Sequence, residues 1–166
     1  GVNSYVSASS QEDYPVQNFL RSSTEENENA AYRVLMNYIL MKDRTFSIYL
    51  YNLNGGHDLF ISSNQPIDYT YRAVKEPWFQ DFLASEGKVM ILDTHLDKQA
   101  RSDHYVISHV RKIFDMQTGR LLGVMVVSMD IRFIEFVSNR LQESLRSGFT
   151  IVDKNDTIIY HENTEL

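Results

Sequence analysis

The stretch H-Y-V-I-S-H-V-R-K-I-F-D-M-Q-T-G-R-L-L-G-V-M-V-V-S-M-D, residues 104–130, decides how the chain folds. Its two β-rich runs, 104–114 and 120–129, are separated by the turn residues D-M-Q-T-G and predict a long antiparallel hairpin. The second run is apolar at both parities of the strand. Both of its faces must then be covered, and the hairpin belongs at the centre of a sheet.

Working outward toward the C terminus, Asp130 is placed to cap a helix in which Ile131, Ile134, Val137, Leu141 and Leu145 keep helical spacing. Gly148 turns the chain into a last hairpin, G-F-T-I-V-D-K-N-D-T-I-I-Y-H-E. Toward the N terminus, K-V-M-I-L-D reads as a strand. It is preceded by a short helix over 77–85 that opens on Pro77 and Trp78 and stops at Gly87. Loop signals cover 64–75. Ahead of them F-S-I-Y-L-Y-N alternates, with Phe46, Ile48 and Leu50 on one face and Ser47, Tyr49 and Tyr51 on the other. N-L-N-G-G-H-D turns it into D-L-F-I-S-S-N, with Gly55 and Gly56 available for positive φ. A helix capped by Thr24 carries Ala31, Val34, Leu35, Tyr38 and Ile39 on one face and reaches Met41. Asp13-Tyr14-Pro15 starts an earlier helix with Val16, Phe19 and Leu20, and residues 1–10 form a flexible lead-in. Helices segregated around one antiparallel sheet make an α+β protein.

The 166 residues, 43 % apolar and with ten Tyr and nine Phe, are enough to bury a core. The absence of cysteine excludes disulfides, thiolate zinc sites and a cysteine nucleophile. A net charge of −6 disfavours nucleic acid and anionic lipid as partners. L-L-G-V-M-V-V is too short to span a bilayer. Lacking an initiator Met and a signal-peptide pattern, the chain reads as a piece of a longer protein.

Three stretches resemble the Cache family of extracytoplasmic sensor domains, which share the PAS-like fold. They are P-W-F-Q-D-F-L-A-S-E-G-K, G-R-L-L-G-V-M-V-V-S-M-D-I and the closing G-F-T-I-V-D-K-N-D-T-I-I-Y-H-E, and the segment that carries the resemblance runs from Phe46 to Glu162. The long helix ahead of them looks most like the sensors of YesM-type histidine kinases. The resemblance implies a PAS-like/Cache antiparallel sheet with a long N-terminal helix and flanking helices, filling residues 11–146. Residues 147–166 would then either begin a second, membrane-proximal module or complete the sheet.

In amino-acid-binding Cache sensors the resemblance implies an R-x-W-Y carboxylate clamp. Here Glu76 stands at the Arg position and Phe79 at the Tyr position, so free α-amino acids fit poorly. The candidate site is Tyr71, Trp78, Asp93, His95 and Asp130, with Arg72 at its edge. Flat rings with carboxylates and an imidazole suit a neutral polyhydroxylated ligand. Each has a plain alternative: Trp78 as a staple between helix and sheet, His95 as a strand end, Asp130 as a helix cap. Asp93, His95, Asp97, Asp103 and His104 lie close in sequence, but their spacing fits neither an EF-hand nor a zinc motif. No catalytic motif is present, and neither an enzyme, a metal nor a cofactor is expected.

The expected function is therefore ligand sensing on the extracytoplasmic side of a bacterial membrane. Transmembrane helices would flank the domain in a histidine kinase, and a carbohydrate would be the first ligand to try. The rivals are a chemoreceptor sensor, a dimerisation module with a filled pocket, and an intracellular PAS domain holding haem or flavin. A weak homodimer through the N-terminal helix is expected.

Overall fold

A computed structural model describes residues 14–41, 46–62, 65–132, 139, 142–143 and 157–160. Helix α1 (Tyr14–Arg21) buries Val16, Phe19 and Leu20, and α2 (Glu25–Met41) buries Ala31, Leu35, Tyr38 and Ile39. The cap of α2 is the expected one: Thr24 Oγ1 accepts from the Asn27 amide at 3.2 Å, with Glu25, Glu26 and Glu28 in the positive first turn. The Asp13 cap lies outside the described residues.

The sheet contains β1 (Phe46–Asn52), β2 (Leu59–Ser62), β3 (Val89–Leu96), β4 (Tyr105–Phe114), β5 (Leu121–Asp130) and β6 (Thr157–Tyr160), in the order β2-β1-β5-β4-β3-β6. The 104–130 hairpin is central as expected: β5 lies between β1 and β4, and Leu122 through Ser128 are all buried. The first five strands are antiparallel. β6 adds in parallel to β3, Val89 opposite Thr157, and the first strand of the expected closing hairpin lies outside the described residues.

Alternation divides the core in two. Ile48, Leu50, Leu59, Ile61, Met125 and Val127 face α1 and α2. Tyr49, Tyr51, Met90, Leu92, Val110, Val124 and Val126 face the opposite way, where a 3-10 turn (Ala73–Lys75) and helix α3 (Pro77–Ala84) cover them with Trp78, Phe79 and Phe82. Burying each such ring contributes roughly 1.5–3 kcal/mol.

Two local expectations change. Gly87 does not stop α3: the helix ends at Ala84, Ser85 is extended, and its hydroxyl donates to the Phe82 carbonyl at 2.7 Å. A side-chain oxygen thus does the work expected of a left-handed glycine. In the β1–β2 turn only Gly55 takes positive φ, at 88°. Gly56 is needed for space, because a Cβ there would strike the Ser23 hydroxyl. Beyond Asp130, Ile131 and Arg132 are helical, but most of the expected helix lies outside the described residues.

Candidate functional site

The site lies on the sheet face under α3, and a β-bulge builds it. Along β3, Met90 and Leu92 point into this face, so simple alternation would turn His95 away. One extra residue between Leu92 and His95, against Ser108 and Val106 of β4, reverses the parity beyond it. His95 and then Asp97 are thereby delivered to the face already occupied by Tyr49 and Tyr51 of β1 and by Ser108 and Ser128 of β4 and β5. Tyr71 and Trp78 wall the cavity from above, and Lys98 and Gln99 stand at its edge.

The cavity has a volume of about 20 Å³, room for a water molecule or two. Its polar side chains are tightly paired. The Tyr49 hydroxyl donates to Asp97 Oδ2 at 2.6 Å, while Asp97 Oδ1 accepts the Gln99 and Ala100 amides at 3.2 and 3.4 Å. Tyr51 donates to Gln99 Oε1 at 2.8 Å, and Gln99 Nε2 donates to the Asp68 carbonyl at 2.8 Å, which ties the loop above the cavity to its wall. Ser108 Oγ lies 2.7 Å from Ser128 Oγ and 3.3 Å from His95 Nε2, and His95 Nδ1 donates to the Asp93 carbonyl at 2.8 Å. Burial raises the Tyr49 and Tyr51 phenols, and the Asp97 charge raises Tyr49 further, so both keep their protons.

Of the six residues expected at the site, the structure brings Tyr71, Trp78 and His95 to this cavity. Trp78 is both staple and wall: it is 5 % exposed, packs against Phe79 at 5.3 Å between ring centres, and lines the cavity. Asp93 is absorbed in the bulge, its Oδ1 accepting the Thr94 amide at 2.7 Å. Asp130 accepts the Arg132 amide at 2.8 Å and binds the Arg132 guanidinium at 2.8 and 3.0 Å, which holds its carboxyl below the usual range. Neither carboxylate lines the cavity, and Arg72 is exposed. Glu76 pairs with Lys98 at 3.6 Å, so the cation nearest the cavity is itself neutralised.

The residues missed from sequence are Tyr49, Tyr51, Gln99, Ser108 and Ser128, while Asp97 was weighed only as a metal ligand. Ser128 did leave a signal, as a polar interruption of the apolar run of β5, whereas Ser108 is masked by His109, Arg111 and Lys112 in the same strand. No cluster of three or more metal-ligating side chains occurs among the described residues.

An α+β sheet with a ring-walled cavity under a short helix is the architecture of a sensor module, and the chain belongs to the Cache domain family, whose model matches residues 2–166. Cache domains are non-catalytic modules that bind small molecules. No curated protein matches the chain. Similar solved structures include three chemoreceptor ligand-binding domains. That of Pseudomonas fluorescens CtaA in complex with L-isoleucine is 16 % identical, with TM-score 0.53, 80 % of this chain and 52 % of that one covered. That of Pseudomonas aeruginosa PctC in complex with GABA is 17 % identical, TM-score 0.55, covering 76 % and 57 %. That of Campylobacter jejuni Tlp3 in complex with L-valine is 20 % identical, TM-score 0.54, covering 78 % and 54 %. These likenesses concern the fold, and the chain spans little more than half the length of the structures it matches. No helix among the described residues is long and apolar enough to cross a membrane.

Proposed function

We propose that this chain is the extracytoplasmic ligand-sensing domain of a bacterial transmembrane receptor and that its ligand binds in the cavity walled by Trp78, Tyr71 and His95. One observation carries the reading: buried polar side chains from four strands and from the turn after β3 converge on one ring-walled cavity. A packed core favours apolar contacts at such positions, so a polar constellation held there serves recognition. The output unit we favour is a histidine kinase, on the likeness of the long N-terminal helix to YesM-type sensors, with a chemoreceptor as the alternative. Tyr32 and Leu40, exposed on α2, support a weak helix-mediated dimer.

The cavity holds little more than water, so binding requires the loop carrying Tyr71 and the rim at Lys98 and Gln99 to open. The ligand then shifts the domain toward the open packing. A carbohydrate is a second reading for the same site, favoured by the Trp78 and Tyr71 rings beside hydroxyl-bearing side chains. A metabolite screen by thermal shift, with Trp78 emission as the local readout, tests the proposal. A binding compound raises the melting temperature and changes Trp78 emission. A broad panel of sugars, amines and carboxylates that moves neither would refute it.

A further inference from the structure

On the helix side of the sheet, two neighbouring side chains hold buried nitrogens with nothing to bond. His109 and Arg111 alternate with Val110 on β4, so both point to the same face. Their partners across the ladder are Val127 and Met125 of β5 and Ile91 and Val89 of β3. Met125 and Val127 belong to the core under α1 and α2, which puts His109 and Arg111 on the face away from the cavity. An imidazole and a guanidinium thus stand in a row of otherwise apolar side chains.

Arg111 is 8 % exposed and makes no hydrogen bond or ion pair among the described residues. Its Nε is closed to solvent without an acceptor, and His109 Nδ1 is in the same condition. Buried polar atoms are almost always bonded, so two orphans side by side on one face call for an acceptor from outside. The nearest carboxylate along the strand, Asp115, is already taken by the Arg21 guanidinium at 2.9 and 3.0 Å and by the amides of Gln117 and Thr118. Burial lowers the Arg111 guanidinium, and burial and then the Arg111 charge bring His109 from 6.5 to about 4, with no carboxylate among the described residues offsetting either. His109 is only half-buried, so the pair can be reached from solvent.

We propose that His109 and Arg111 form a second ligand site, which takes the carboxylate of a small aliphatic acid. The guanidinium fork matches the two carboxylate oxygens, His109 Nδ1–H gives one of them a further donor, and the alkyl chain lies on Val89 and Ile91. Those two are the half-buried members of the apolar row. With His109 neutral, the site carries the single charge of Arg111. A monocarboxylate neutralises it, whereas a phosphate dianion would leave a charge without a counterpart. The site does not depend on the cavity, from which the sheet separates it.

Calorimetric titration of the protein at neutral pH with butyrate, inorganic phosphate and butan-1-ol tests this, with the imidazole nitrogen resonances of His109 and the emission of Trp78 as local readouts. Butyrate should bind with a dissociation constant of about millimolar order, as its few atoms allow, and the other two probes at least about tenfold more weakly. It should move His109 Nδ1 to the position of a protonated nitrogen and leave Trp78 emission unchanged. Arg111→Lys keeps the charge but loses the fork, and should weaken butyrate by about tenfold. His109→Leu removes the further donor with little change in bulk and should weaken butyrate by a smaller factor, so it decides the matter if Arg111→Lys fails to fold. Phosphate or butan-1-ol binding as well as butyrate would overturn the carboxylate assignment. Butyrate that moves Trp78 emission and not His109 would be a cavity ligand, which overturns the second site and leaves the sensor reading intact. No butyrate binding, or binding unaltered in the variants, would overturn it as well.

Discussion

Trp78 follows Pro77 at the first turn of α3, so its ring is fixed by the helix start and is buried between Phe79 and the cavity. Both roles read from the sequence therefore meet in one side chain. Trp78→Ala should destabilise the fold by about 3–5 kcal/mol, measured by urea denaturation, and the emission of the free protein should be blue-shifted. On the other face of the sheet, His109 is held neutral: burial, and then the Arg111 charge, lower it from 6.5 to about 4. Its Nδ1 has no hydrogen-bond partner among the described residues. The unfolded chain takes up a proton below pH 6.5 that the folded state refuses until about 4, so this group costs stability as pH falls through that window. The loss should be on the order of 2–3 kcal/mol after screening of its part-exposed edge. His109→Leu should flatten the pH dependence of the unfolding midpoint between pH 7 and 4.5. An unchanged slope would show that another group is responsible.

At the level of elements, the helices are joined to the sheet by polar contacts at one end and by a missing side chain beside them. Arg21 at the end of α1 makes a two-pronged contact to Asp115 in the β4–β5 turn, at 2.9 and 3.0 Å. The Arg21 guanidinium, with the turn amides of Gln117 and Thr118, holds the Asp115 carboxyl down at about 2. A lowered carboxyl stabilises the fold above the ordinary carboxylate range and loses its effect as pH falls toward 2. Asp115→Asn keeps the acceptor for the turn amides, so it should lower the melting temperature at pH 7 by removing the tie to α1. The difference from wild type should vanish near pH 2. Gly123 lies where β5 passes beneath α1, and a Cβ there would strike the Tyr51 carbonyl and approach Leu20 to 3.0 Å. Gly123→Ala should cost about 1–3 kcal/mol by overpacking, with hydrogen exchange in α1 rising more than in α3.

Across the whole molecule, one face of the sheet is given to the two N-terminal helices and the other to the cavity, and the loop at 65–68 borders both, tied to the cavity wall through Gln99 and facing α2 with Pro66 and Ile67. The exposed Tyr32 and Leu40 flank a groove of about 500 Å³ lined also by Met36, Phe60, Pro66 and Ile67. If α2 mediates the weak dimer, sedimentation should show a monomer at micromolar concentration and association only well above it, weakened further by Leu40→Glu. A tight dimer, or none at any concentration, would count against it. Much of this architecture was legible in the chain itself. The central hairpin followed from an apolar strand that needed cover on both sides, the helix faces from spacing at three and four, and the α2 cap from Thr24 and its glutamates, because each is a local consequence of periodicity and hydrogen-bond chemistry. The site was legible only in part. Trp78, Tyr71 and His95 could be named from their types, but two-residue alternation puts Asp93 beside His95, and a one-residue bulge separates them and brings Asp97 in instead. Which carboxylate is buried, and which way the serine hydroxyls point, depend on the registers of β1, β5, β4 and β3 against one another. Those registers are set by pairings between residues as far apart as Phe46 and Met129, so only the tertiary structure decides them.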